Sequence, residues 1–184
     1  SNCYSLWRIS EPFMKFTKED ARKRVLNCAK QYQQNLLHKK LLIIFREKQD
    51  NSIRFIEVVF HERNYQHLTG LELINTEGKI LQHQSKNFYR KCIENKLGLN
   101  DVDKVMGGVN FCLGLSREND VFVPSSALLE DIKKLTASPS QVLAIFEKDI
   151  DSELYSTVKH VAKGLNLHHL ILPPEINSKI LLPK

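Results

Sequence analysis

The chain reads as an α+β domain, with helices packed on an antiparallel β-sheet. Three observations predict that class. Apolar residues recur at helical spacing in two separated stretches, around Val25 and around Phe88. Short apolar runs of strand length, bounded by turn residues, lie between and after them. A turn at residues 117–120 joins two such runs as a hairpin, and no internal repeat, low-complexity block or Pro/Gly-rich linker divides the chain.

Bulk properties bound the function. A length of 184 residues allows one domain with a proper core, and 42% hydrophobic with 26% charged residues argues against disorder. The net charge of +6 favours a polyanionic partner, nucleic acid above all, because Lys and Arg release counterions when they neutralise phosphates. No apolar run approaches the ~20 residues of a membrane helix and the start lacks a secretory pattern, so no membrane partner is expected. Cys3, Cys28, Cys92 and Cys112 form no Cys-x-x-Cys, which supports neither a zinc knuckle nor a disulfide scaffold. Cys28, Cys92 and Cys112 sit among apolar neighbours, and reduced core thiols in a cytoplasmic protein are the reading that follows for them.

Residues 1–16, with Trp7 and Pro12, read as an N-terminal arm, and residues 17–184 as a single domain. Thr17 offers an N-cap, and Ala21, Val25, Cys28, Ala29, Tyr32 and Leu36 predict a helix from about 18 to about 37. Its other face carries Arg22, Lys23, Arg24 and Lys30. Residues 41–46 and 53–60 read as strands joined by the turn residues 48–52, each covered on more than one side. A polar cluster at 63–70 then breaks the pattern where the chain turns at a sheet edge. The apolar alternation resumes briefly at 71–74, before a turn at 75–78.

Ser85 can cap a helix whose apolar face is Phe88, Tyr89, Cys92, Ile93 and Leu97, ending at Gly98. Strands are expected at 109–115 and 121–124, following the Gly107-Gly108 pair. A short helix capped by Ser125 or Ser126 should come next, through Leu128, Leu129, Ile132 and Leu135. Residues 141–146 predict another strand, and Leu154, Val158 and Val161 predict a helix over 154–162 that Gly164 ends. A last strand is expected at 165–172, stopped by Pro173-Pro174.

The chemistry the residues support is limited. None of the seven histidines falls in the i, i+4 pair of a zinc protease, and there is no phosphate-binding glycine loop and no Gly-x-Ser-x-Gly, so no metal and no cofactor is expected. Metal-free RNA cleavage needs less: a base for the ribose 2′-hydroxyl, a cation for the phosphate and an acid for the leaving oxygen. His67 has an intrinsic pKa suited to base or acid, and Arg63 offers a guanidinium fork for phosphate oxygens. Thr69 and Asn64 offer hydrogen bonds to a phosphate, and Tyr65 or Tyr89 a ring on which a base can stack. The same residues also fit a turn anchored by His67 through side-chain to backbone hydrogen bonds, with Gly70 as the permissive backbone. Tyr89 equally fits the core, and Lys163 equally fits a helix C-terminal cation.

Four stretches, in order, resemble a known family. Arg63-Asn64-Tyr65-Gln66-His67-Leu68-Thr69-Gly70 resembles the Asn-aromatic-x-His-Leu-Thr-Gly core of phage and mobile-element proteins classed with the barnase–EndoU–colicin–RelE-like nucleases, as the fourth phage group. Lys86-Asn87-Phe88-Tyr89-Arg90-Lys91-Cys92 is similar to its Phe-Tyr-x-Lys-Cys helix. Residues 121–132 are similar to its Val-Pro-Asn-Thr-x-Leu-x-x-Asp-Ile segment, and Ala162-Lys163-Gly164 to an Ala-Lys-Gly near its C-terminus. A Thr-x-x-Lys-Leu element of the family has no counterpart in residues 99–106. The resemblance spans roughly residues 17 to 170. It implies helices packed on a curved antiparallel sheet and a metal-independent ribonuclease of toxin or effector type. It further implies RNA as substrate and a cognate immunity or antitoxin protein as partner. His67, Thr69 and Arg63 become the catalytic candidates, with Asn64, Tyr65, Tyr89, Lys91 and Lys163 for substrate binding. A non-catalytic module on the same fold, binding RNA or a protein, is the rival reading, and a phage structural or inhibitor protein a third.

Overall fold

The computed structural model describes residues 18–69, 85–96, 112–128 and 139–182. In chain order these form α1 (Lys18–Asn35), β1 (Lys39–Arg46), β2 (Ile53–Val59), α2 (Asn64–Thr69), α3 (Ser85–Ile93), β3 (Cys112–Glu118) and β4 (Val121–Leu128). There follow β5 (Gln141–Asp149), β6 (Thr157–Val161), a 3₁₀ turn at Leu167–His169 and α4 (Pro174–Asn177). The expected arm at 1–16, the Thr17 cap, the stretch from 70 to 84 and residues 97–111 lie outside the described residues.

The α+β class holds. Six strands form a mixed sheet in the order β3-β4-β2-β1-β5-β6. β1 pairs antiparallel with β2 and with β5, and β5 pairs antiparallel with β6. The mixed character comes from β4, which meets β2 in parallel at Val58 and Phe122. The chain divides into two compact units, one of residues 1–37, 60–116 and 123–131, the other of residues 38–59, 117–122 and 132–184.

The first unit is organised by aromatic side chains. Val25, Ala29 and Tyr32 of α1 are buried at helical spacing, as are Phe88, Tyr89 and Cys92 of α3. Tyr65 of α2 meets both helices: its ring centroid lies 5.1 Å from Tyr32, 5.8 Å from Tyr89 and 6.2 Å from Phe88. Phe60 adds an edge contact to Tyr32 at 6.1 Å, and its backbone forms an isolated bridge with Leu37. Tilted and edge-on rings at these separations satisfy the ring quadrupoles as well as burying area.

The second unit is built around β1. Leu42 and Ile44 are fully buried and pair with Phe146 and Ala144 of β5. Side chains opposite each other in an antiparallel pair share a face. Leu143, Tyr155, Leu172, Ile176 and Ile180 complete this core, so α4 and the strand-flanking loops cover the sheet here. Glu57 of β2 is also opposite Leu42, which places one carboxylate on the core side of the sheet.

Three expectations from the sequence are corrected. Residues 154–162 contain β6, not a helix: Thr157, Val158 and Val161 are β-branched and pair along β5, while Leu154 is exposed. Residues 165–172 carry a 3₁₀ turn in place of a strand, because the Asn166 side chain accepts a hydrogen bond from the His168 N–H at 3.0 Å and turns the chain locally. Ser125 does not start a helix. Its hydroxyl donates to the Gly114 carbonyl at 3.2 Å and β4 continues through Leu128, while the rest of the expected helix, at 129–135, lies outside the described residues. Pro173-Pro174 ends one segment as expected but also opens another, since Pro174 stands in the first turn of α4, where its missing N–H costs nothing. Phe146→Ala should lower unfolding free energy by about 3–5 kcal/mol in a denaturant titration, because its fully buried ring leaves a cavity beneath β1.

Candidate active site

The polar cluster after β2 is a helix, where a turn was expected. Asn64 explains why. Its side-chain carbonyl accepts the His61 backbone N–H at 2.8 Å, while its own N–H donates to the His61 carbonyl at 2.9 Å. This reciprocal pair closes a turn that starts α2. The amide end of the same side chain donates to the Pro124 carbonyl of β4 at 2.8 Å, and Asn64 is only 4% exposed. Tyr65 is buried too, and its hydroxyl donates to the Val25 carbonyl of α1 at 2.6 Å. With Gln66 also buried, three consecutive residues clamp α2 against its unit.

Burial of 64–66 decides what faces outward. Arg63, just before α2, and His67, four residues on, are both exposed. That interval is about one helical turn. Thr69 is half-buried, and its hydroxyl donates to the Gln66 carbonyl at 2.7 Å, an i−3 bond within the helix. Asn64, expected to donate to a phosphate, therefore spends its carboxamide inside the protein. Tyr65 and Tyr89, expected to stack on a base, pack on other tyrosines and on α3. Lys91 is half-buried on α3, and Lys163 is exposed in the second unit, in the turn after β6 where Gly164 adopts φ 80°.

The tyrosines are not equivalent. The Tyr32 hydroxyl donates to the His61 carbonyl at 2.8 Å, whereas the buried Tyr89 hydroxyl has no hydrogen-bond partner among the described residues. A buried oxygen of Glu62 also lacks one among the described residues, although Arg90 Nε stands 3.7 Å away. Burial, followed by the Glu62 charge and Cys92, pushes the Tyr89 phenol up. Burial and then Tyr89 do the same to Tyr32. Both phenols stay protonated at neutral pH, so neither is a ready base.

Residues 24–108 match the family model of the phage-Barnase-EndoU-ColicinE5/D-RelE like nuclease4. The family resemblance is thereby borne out. The match to this nuclease family holds α1 from Arg24, β1, β2, α2 and α3, with the His-Leu-Thr-Gly and Phe-Tyr stretches inside it. The stretches at 121–132 and 162–164 lie beyond it. The match to a nuclease-family model over these residues points to nucleic acid as the class of substrate. No curated protein and no solved structure matches the chain. Among the described residues, no helix is long and apolar enough to cross a membrane.

The nuclease-family segment also supplies part of a titratable cluster that the sequence reading did not single out. It lies in the second unit, on Glu57. Tyr155 OH donates to Glu57 Oε1 at 2.7 Å, Lys40 Nζ stands 3.4 Å from the same oxygen, and Lys179 Nζ 3.4 Å from Oε2. Lys148 Nζ lies 5.0 Å over the Tyr155 ring and donates to the Ser152 and Glu153 carbonyls at 2.7 and 3.1 Å. Lys40 and Lys148 are direct cross-strand partners, like charges on one face of the sheet. Burial pushes the Glu57 carboxyl up, but the Tyr155 hydrogen bond and the Lys40 and Lys179 charges outweigh it and hold the group below its ordinary value. Burial, then Lys40 and Lys179, push the Lys148 ammonium down. The only sequence signal was one carboxylate inside the apolar run at 53–60; the lysines are far from it in the chain.

Two outcomes follow from this geometry. Asn64→Ala should destabilise the protein by about 1–3 kcal/mol in chemical denaturation, since it strands the Pro124 carbonyl and the His61 N–H. Because folding lowers the Glu57 pKa, its contribution to stability is present above its ordinary value of 4.5 and is lost as pH falls through the lowered folded value. Glu57→Gln should therefore flatten the acid limb of the stability–pH curve below about pH 4.5 relative to wild type, and an unchanged limb would refute the assignment.

Proposed function

We propose that the chain is a metal-independent ribonuclease that uses His67 for proton transfer and Arg63 for phosphate binding. The observation that carries this reading is the clamp on α2. Asn64, Tyr65 and Gln66 are fixed inside, and Arg63 and His67 are presented outside, within the segment that matches the nuclease family. Neutral His67 takes the proton from a ribose 2′-hydroxyl. The oxygen then attacks phosphorus, the P–O bond to the 5′-oxygen breaks, and that oxygen takes a proton from a solvent water as it leaves, the His67 proton being returned to solvent. Arg63 holds the phosphate oxygens, where negative charge grows. Thr69, two residues after His67 in the chain, keeps the end of α2 in place through its bond to Gln66. Asn64, Tyr65 and Tyr89 act by positioning α2 and α3, and Lys91 and Lys163 add positive charge for the RNA backbone. A toxin- or effector-like role in the cytoplasm, with a cognate immunity or antitoxin protein, completes the proposal, supported by the colicin and RelE likeness in the family's description.

A non-catalytic RNA-binding module is the rival, and the structural duties of Asn64, Tyr65 and Tyr89 favour it. Cleavage of a mixed RNA pool in the presence of a metal chelator separates the two. Wild type should cut, and His67→Ala, an exposed position whose loss leaves the core intact, should cut about 10²–10⁴-fold more slowly. A His67→Ala protein as fast as wild type would remove the residue from the mechanism. Salt-sensitive retention of intact RNA by wild type would establish the binding module instead.

A further inference from the structure

We propose that the Lys40, Lys148 and Lys179 side chains around Glu57 form a phosphate-binding site in the second unit. Two ammonium groups, those of Lys40 and Lys179, contact one half-buried carboxylate whose side chain is 12% exposed, and Lys148 feels its charge. The exposed Glu153 is the other carboxylate that acts on Lys148. Two of the ammoniums contact Glu57 at 3.4 Å, well outside the roughly 2.7–2.9 Å of a tight charge-assisted bond, so neither is saturated by it. Lys148 has two of its three N–H donors committed to the Ser152 and Glu153 carbonyls, which fixes the head group and leaves one donor over.

Such an arrangement is costly for a protein that uses it only for support. Lys40 and Lys148 are held opposite each other on the sheet, where like charges repel. Lys179 is held near them by the Phe55 ring, 5.5 Å from its Nζ, as well as by Glu57. An oxyanion between the three ammoniums removes that repulsion. Glu57 then acts as the internal counter-charge that keeps the lysines together when the site is empty, and Tyr155 fixes the orientation of Glu57 through its 2.7 Å bond. The site remains open to solvent, since the Lys40 and Lys179 side chains are 21% and 35% exposed. The ligand chemistry is a phosphate oxyanion, supplied by free or terminal phosphate or by a nucleic-acid backbone.

The inference uses none of the residues assigned to cleavage, and its readout is binding, so it stands or falls separately from the ribonuclease reading. The full chain is titrated at fixed ionic strength with inorganic phosphate, followed by phosphorus NMR, and in parallel with a single-stranded oligonucleotide lacking terminal phosphates. Binding of phosphate identifies the free or terminal form as sufficient, and binding of the oligonucleotide alone identifies the backbone; either supports the site. In both arms Lys148→Met and Lys179→Met should weaken binding roughly tenfold each, the equivalent of about one charge-assisted hydrogen bond. Lys159→Met should not, because Lys159 pairs with Glu147, which alternation puts on the other face of the sheet. If Lys148→Met does not fold, Lys179→Met decides. Absence of binding by both probes, or wild-type affinity in the folded lysine variants, would overturn the proposal.

Discussion

Everything that faces outward from α2 depends on where the Asn64 carboxamide finds its hydrogen bonds. A carboxamide that is 4% exposed must have its donors and acceptor met within the protein. Here one end closes the turn at His61 and the other reaches the Pro124 carbonyl. Tyr65 adds a second tie from α2 to α1. A helix of six residues has too few internal hydrogen bonds to stand alone, so these ties supply the order that its length does not. Once 64–66 are turned inward, the exposed positions of Arg63 and His67 follow from helical geometry.

The second unit shows the complementary case, in which charge is organised by a sheet. Register places Glu57 opposite Leu42 and Lys40 opposite Lys148, and Lys179, two residues past the end of α4, closes the group. A single carboxylate on the core face would be expensive without partners. The Tyr155 hydroxyl and two ammoniums meet that need and lower the Glu57 pKa, at the expense of crowding positive charge. The two units thus put polar groups to opposite uses: in one a neutral amide fixes a helix, in the other an ionised group gathers lysines.

Much of the fold was legible from pattern. The helices α1 and α3 and the strands β1, β2 and β5 lie where periodicity put them, because each has enough apolar residues at one period to define a buried face. The misreadings share a cause. Leu154, Val158 and Val161 fit a helical period by coincidence, and pairing with β5 overrode it. Ser125 fits a helix cap, but a strand neighbour offered its hydroxyl the Gly114 carbonyl. The polar run at 63–70 carried no apolar period at all, so nothing in it announced α2. For the candidate site, the motif located Arg63, His67 and Thr69 but could not tell that Asn64, Tyr65 and Tyr89 were interior residues.

The sequence by itself determined the class of fold, the family resemblance and the positive charge, because composition, periodicity and short motifs are local properties of the chain. Only the tertiary structure decided which members of the motif are buried scaffold and which are exposed. It alone joined Lys40, Glu57, Lys148, Tyr155 and Lys179, whose separation along the chain exceeds any local pattern. The physical reason is the same in both: burial and register, not residue type, fix which hydrogen bonds and charges a side chain has left to offer.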